Sequence, residues 1–263
     1  FKDLMIRGKS FYAVYHPETH FWSTEEYDLM RIVDADVARH FKETSERVEG
    51  SVWARYLGDY DSKTYADYKS WMSKLPDVYH PLDGGILFAD QTPRREDYAT
   101  RTLTYSLSDD PCPAYEELMS TLYDPDEREK LEWGIGAVFT GNSKWIQKFF
   151  VLYGSAGSGK STVLNLISRL LDDHIGQFDA AALGRPSDQF ALEPFKSNPR
   201  VAIQHDGNLA RIADNSRLNS LVSHETMVMN EKGKSLYSFA SEAMLFVGTN
   251  LPVRITDSKS GLT

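Results

Sequence analysis

The chain has 263 residues, a formal net charge of −9, 41% hydrophobic and 25% charged residues, and one cysteine. That is enough for one large or two ordinary domains with a real core, while no run reaches the ~18 apolar residues of a membrane span and no signal peptide opens the chain. The acidic balance excludes nucleic-acid binding by bulk charge and leaves it only to a local basic patch.

Residues 11–22 predict a β-hairpin: Phe11-Tyr12-Ala13-Val14-Tyr15 is strand-like, 16–20 supply the turn, and Phe21-Trp22 begin the return. His16 and His20 lie on that turn without a cysteine or acidic cluster and read as solvated loop residues rather than metal ligands. Ser23 and Glu26 form a capping box opening a helix to about Phe41, with Val33, Val37 and Phe41 as its buried stripe. A second helical stretch, about 52–75, mixes Trp, Tyr and Lys. Such residues can stack bases and contact phosphates, but at helical spacing they read first as core and snorkelling surface. Gly84-Gly85 leads into Ile86-Leu87-Phe88, giving a short strand within about 84–90. Cys112 reads as a small buried apolar residue, and its solitude suits a reducing, cytoplasmic setting. Pro113 starts a helix through Leu118 and Leu122. Asp124 as N-cap, Pro125 at N1 and acids in the first turn start another, carrying Leu131, Ile135 and Val138 to about Gly141. A boundary is expected near 145: a mainly helical region, 1–145, with short strands at 11–22 and 84–90, then a second domain, 146–263.

The second domain opens with Phe149-Phe150-Val151-Leu152-Tyr153, an apolar run of strand length. Gly154-Ser155-Ala156-Gly157-Ser158-Gly159-Lys160-Ser161-Thr162 follows, then Val163, Leu164, Ile167, Leu170 and Leu171 at the spacing of a buried helix face. Strand, glycine-rich loop and helix are the context of a P-loop. Glycines let backbone N–H groups turn toward a phosphate, and the helix N-terminus adds partial positive charge. Lys160 would reach the β/γ-phosphates of ATP, and the Ser161 hydroxyl would ligate Mg²⁺. Residues 179–188 read as a loop. Arg200-Val201-Ala202-Ile203-Gln204-His205-Asp206 is a strand ending in an acid, and 217–222 is helical. Met227-Val228-Met229 and Leu236-Tyr237-Ser238-Phe239 flank a hairpin tip with Lys232 and Lys234. Ala243-Met244-Leu245-Phe246-Val247-Gly248 is a third buried strand, ending at Thr249-Asn250. Strands alternating with helices predict a mostly parallel α/β sheet, with ligands at the C-terminal strand ends where Asp206 and Asn250 fall.

Hydrolysis of ATP needs Mg²⁺ held, a water aimed and charge stabilised. Asp206, at the end of a mostly apolar strand, can hold Mg²⁺ directly or through water. Asn250 can bond a water and the γ-phosphate together. The neighbouring second acid of many such sites is missing, so Asp206 serves both roles, or the base comes from elsewhere, with His205 one candidate and an ordinary structural histidine its alternative reading. Three functions fit a P-loop here: a nucleic-acid-dependent ATPase, a nucleotide-gated DNA-binding or assembly module with little hydrolysis, and a P-loop kinase. The kinase explains Lys160 but neither the basic hairpin nor the Thr-Asn-x-Pro strand end.

Together these features resemble the superfamily 3 helicases, closest to the C-terminal part of phage, plasmid and poxvirus-type primase–helicases. Four stretches carry the likeness: the loop 154–162, the strand 201–206, the hairpin around Lys232 and Lys234, and Leu245-Phe246-Val247-Gly248-Thr249-Asn250-Leu251-Pro252, which resembles the family's motif C. Residues 82–88 and 131–141 also look like the stretches leading to its ATPase core. The likeness covers about 80–263 well and 1–80 loosely. It implies an AAA+-like ATPase core behind a mainly helical N-terminal domain, working as a ring, expected to be a hexamer, on single-stranded DNA during replication. Lys160, Asp206 and Asn250 would be Walker A lysine, Walker B acid and sensor asparagine, with Lys232 and Lys234 gripping the DNA backbone. The family's arginine finger is expected shortly after motif C, about where the sequence stops, and Arg254 lies too near Asn250 for that role. Since the sequence starts at Phe1 rather than Met, a longer parent chain is expected, in which the likeness allows a primase domain.

Overall fold

A computed structural model describes residues 5–7, 12–45, 70, 82–83, 85–209, 212, 214–230, 232 and 236–252. The chain divides into two compact units, one of Phe1–Leu82 with Pro93–Thr100, the other of Asp83–Thr92 with Arg101–Thr263.

In the first unit, β1 (Met5–Arg7), β2 (Tyr12–His16) and β3 (Phe21–Ser23) form an antiparallel meander in that order. β2 and β3 are the hairpin expected at 11–22; β1 was not foreseen, three residues being too few for a period. Trp22 is buried with Ala13 and Tyr15, and Leu82 and Tyr98 pack against them. Its indole N–H donates to the Arg95 carbonyl at 2.9 Å, so the ring is both apolar filling and a satisfied donor. Helix α1 (Glu26–Ser45) follows. The Ser23 hydroxyl accepts from Glu25 N at 3.1 Å and donates to Asp28 Oδ2 at 2.7 Å, which ties the chain into the first turn. The side chains of Val33, Val37 and Phe41, and the stretch 52–75 apart from Ser70, lie outside the described residues.

The second unit contains α2 (Pro113–Leu122), α3 (Pro125–Phe139), α4 (Ser143–Ile146), β4 (Phe150–Tyr153), α5 (Lys160–Leu171), β5 (Ile175–Gln177), α6 (Ala180–Leu183), β6 (Val201–Gln204), α7 (Ser216–Val222), β7 (Thr226–Met229), β8 (Tyr237–Ala240) and β9 (Met244–Thr249). Four strands form a parallel sheet in the order β4-β9-β6-β5, and β7 pairs antiparallel with β8. With helices on its faces this is the expected α/β fold. β9 is central and all six of its residues are buried, as a strand covered on both faces requires.

The pleat sends alternate residues to two cores. Phe150, Leu152, Val201, Ile203, Met244 and Phe246 share one with α5, whose Val163, Leu164, Ile167 and Leu171 are each at most 1% exposed. Burial of each such side chain contributes about 2 kcal/mol. Met119 of α2 and Leu131 and Val138 of α3 belong to the same core. α3 lies so close that a Cβ on Gly134 would meet Phe150 Cζ at 2.2 Å. On the other face Ala202, Leu245 and Val247 pack with Leu183 of α6, Leu218 and Leu221 of α7, and Met229. α2 and α3 thus share the core of the sheet, and the boundary expected at 145/146 lies inside this compact unit.

Several expectations are corrected. Residues 86–88 form no strand: Leu103 N donates to Leu87 O and Ala89 N to Tyr105 O, but Gln91 N then turns back to Phe88 O and stops any ladder. The stretch 179–188 includes the short helix α6, capped by Asp179 Oδ1 accepting from Ala181 N at 2.9 Å. β6 ends at Gln204, so Asp206 sits in the bend beyond it. Cys112 is exposed, immediately before Pro113 at the start of α2.

At the N-terminal ends of the strands lies a buried polar cluster. Arg200, 3% exposed, donates to Glu242 and to the Asp83 carbonyl. Arg101 donates to the Asp173 carbonyl at 2.6 Å, and its Nε lies 3.5 Å from Asp83 Oδ2. His174, 1% exposed, lies among them. Burial pushes its pKa down to about 4, with Arg101 and Arg200 pushing the same way and Asp83 and Asp173 opposing. Among the described residues no helix is long and apolar enough to cross a membrane.

Candidate functional site

The opposite, C-terminal edge of the sheet gathers the residues of interest, because parallel strands end together and the chain must turn there. β4 runs directly into the loop Gly154-Ser155-Ala156-Gly157-Ser158-Gly159, and α5 begins at Lys160. Two glycines adopt the left-handed region, Gly157 at φ 80° and Gly159 at φ 85°. Side chains are further excluded by proximity. A Cβ on Gly159 would lie 2.5 Å from Leu122 Cδ2 of α2, and one on Gly154 would lie 2.6 Å from Ser158 Oγ. The loop is therefore packed from beneath by α2 and closed on itself, while Ser155, Ala156, Gly157, Ser158, Ser161 and Thr162 remain exposed.

Lys160 folds back over the loop. Its Nζ donates to Gly154 O at 2.8 Å, Ser155 O at 2.7 Å and Ser158 Oγ at 3.2 Å. Three donors thus have three acceptors, and the charge is held at the start of a twelve-residue helix. The loop's backbone N–H groups, this ammonium and the helix dipole together suit a polyanion.

Neighbouring strands fix what lies beside the loop. Tyr153 is in register with Thr249, and Gly154 N donates to Thr249 O at 3.2 Å. Asn250, exposed, follows in the bend just beyond β9. On the far side of β9, Gly207 N donates to Gly248 O at 2.8 Å, which brings the exposed Asp206 to the same edge. Two strand spacings separate the ends of β4 and β6, about 10 Å, leaving room for phosphate oxygens, an ion and water. Asp206 and Ser161 both offer hard oxygen atoms. That fits Mg²⁺, which keeps most of its water and takes few protein ligands. Among the described residues, no group of three or more His, Cys, Asp or Glu is placed to hold a metal.

The sheet therefore brings together Lys160, Ser161, Asp206 and Asn250. Lys232 stands exposed in the turn between β7 and β8; Lys234 and Arg254 lie outside the described residues. Sequence reasoning missed two supports. The Gln204 side chain accepts from Ala180 N at 3.0 Å and donates to Asp179 Oδ1 at 3.2 Å, tying the end of β6 to α6. Gly207 leaves its Cβ space to Val247 and Gln204. A glycine directly after a strand-end acid was the one available signal; the glutamine partners, 24 and 25 residues away, gave none.

A family described only as of unknown function, DUF5906, matches residues 152–260, which take in the glycine-rich loop, Asp206 and Asn250. Comparison with curated proteins gives no match. Among solved structures the chain is similar to the A-form apo structure of the NrS-1 C-terminal region, with TM-score 0.53 and 14% identity over 97% of this chain and 56% of that one. Two structures of that region spanning its residues 305–718 give TM-scores of 0.47 and 0.45 at 15% and 11% identity; they align with 65% and 97% of this chain and with 48% and 56% of their own. The chain thus spans about half the length of the solved structures it matches, and the likeness is one of fold.

Proposed function

We propose that this chain carries the ATPase core of a DNA helicase of the superfamily 3 type, acting in phage, plasmid or viral DNA replication as a ring-forming homo-oligomer on single-stranded DNA. The observation that carries the reading is the strand order β4-β9-β6, with the loop, Asn250 and Asp206 side by side at one sheet edge. A loop alone would support only nucleotide binding. A strand inserted between the loop strand and the acid strand sets a polar amide between them, where the γ-phosphate and an attacking water would lie.

In this reading the loop's N–H groups and Lys160 bind the β- and γ-phosphates, Lys160 exchanging its loop carbonyls for phosphate oxygens. Ser161 and Asp206 would hold Mg²⁺, which neutralises charge on the phosphates when bound. Asp206 also accepts a hydrogen bond from the attacking water, and Asn250 orients that water against the γ-phosphate. Lys232, with Lys234, would contact DNA phosphates. An arginine from a neighbouring subunit would complete the site.

The kinase reading uses the loop but gives no work to Asn250 or the hairpin. The test is ATP turnover with single-stranded DNA and, separately, with nucleosides. Stimulation by DNA alone supports the helicase. Phosphorylated nucleoside overturns it in favour of a kinase, and tight ATP binding without turnover favours a nucleotide-gated assembly module.

A further inference from the structure

Thr249 carries a hydroxyl at a position whose burial would suit valine or isoleucine. It is 1% exposed at the end of the central strand. Its Oγ1 accepts from Leu251 N at 3.1 Å and donates to Leu251 O at 3.2 Å. Its own carbonyl accepts from Gly154 N at 3.2 Å, at the first residue of the glycine-rich loop. One residue earlier, Gly248 O accepts from Gly207 N, and a Cβ on Gly248 would meet His205 O at 2.6 Å. The last two residues of β9 thus set the spacing of the loop on one side and of the Asp206 bend on the other.

Asn250 lies between Thr249 and Leu251. A chain leaving a strand end is free to rotate about the last ψ and the next φ, and each rotation swings the following side chain by ångströms. A hydroxyl that hooks both polar groups of the residue two positions on removes that freedom. The geometry points to Thr249 as a positioning residue for Asn250: its hydroxyl fixes the direction in which Asn250 leaves the sheet, in register with the phosphate loop. This rests on the role proposed for Asn250.

Leu251 is 48% exposed, so water can replace both bonds when the hydroxyl is removed. Thr249→Val keeps the shape and the burial, so the expected loss is orientation rather than folding. Turnover with DNA is measured for the parent, Thr249→Val, Thr249→Ser, Asn250→Ala and the double variant Thr249→Val/Asn250→Ala, with amide hydrogen exchange at Leu251. The valine variant lowers kcat about tenfold with KM within about twofold, because the interaction lost is one made in the transition state. Serine restores most of the rate. The double variant is no slower than Asn250→Ala alone, since Thr249 acts only through Asn250. Leu251 exchange speeds up with valine and not with serine. A parental kcat in Thr249→Val, losses that multiply in the double variant, or unchanged Leu251 exchange overturns the assignment. A parent without turnover would sink the functional reading instead, and Leu251 exchange would still decide the positioning.

Discussion

Replacing Gly159 by alanine tests whether the loop is held in shape from beneath. The residue sits at φ 85°, where an L side chain is strained by about 1–2 kcal/mol. The added Cβ would also meet Leu122 Cδ2 at 2.5 Å and Cδ1 at 2.9 Å. Overpacking of that kind costs about 1–3 kcal/mol. The loop escapes both by leaving its cradle shape, so ATP binding must restore it against about 2–5 kcal/mol. At ~1.4 kcal/mol per tenfold, the affinity falls roughly 30-fold to several thousand-fold. Leu122→Ala removes the steric share and leaves the φ share. The double variant Gly159→Ala/Leu122→Ala should therefore recover to within about 5- to 30-fold of Leu122→Ala alone, the factor that ~1–2 kcal/mol represents. The assay is titration of a fluorescent ATP analogue, with circular dichroism confirming that each variant is folded. Parental affinity in folded Gly159→Ala refutes the reasoning, and so does a double variant that recovers nothing.

Two further outcomes follow from the geometry. Burial holds His174 neutral, its pKa depressed from 6.5 to about 4, so the unfolded chain takes up the proton first as pH falls. The associated stability is complete above pH 6.5 and is lost toward pH 4, by about 2 kcal/mol between pH 7 and pH 5. Denaturant midpoints at the two pH values measure it, and a His174→Gln variant with the parental pH slope contradicts it. At the hairpin, Lys232→Ala should lower the salt slope of single-stranded DNA binding by about 0.7, the value for one lost phosphate contact; an unaltered slope removes Lys232 from the interface.

The elements around the site were legible where pattern and length coincide. The glycine-rich loop stands between an apolar strand and a helix; Val163, Leu164, Ile167 and Leu171 are buried where their spacing put them, while Leu170, expected on the same face, is only half-buried. Strand order was not legible, because nothing local in β4, β6 or β9 records which of them are neighbours. Residues 86–88 misled because their apolar character serves packing: Phe88 stacks on Phe139 at 5.9 Å and meets Tyr105 at 6.1 Å instead of joining a ladder. α6 is four residues long, too short to show a helical period, although Ala180 and Leu183 are both buried. The unit boundary was hidden because the chain passes between the units three times, after Leu82, Thr92 and Thr100, and contiguous reading cannot express that. Thr249 was visible only as part of a motif; its work lies in two bonds to Leu251 and one to Gly154.

The central claim is that the loop, Asp206 and Asn250 form one Mg²⁺–ATP site. It is tested most directly by calorimetric titration of ATP, with and without Mg²⁺, into the parent, Lys160→Ala and Asp206→Asn. The parent should bind more tightly with Mg²⁺. Lys160→Ala should bind roughly 10- to 150-fold more weakly, as loss of a charge-assisted contact to phosphate worth about 1.5–3 kcal/mol implies. Asp206→Asn should keep its affinity for ATP alone and lose the gain from Mg²⁺. Equal affinities in all three proteins, with or without the ion, would contradict the account.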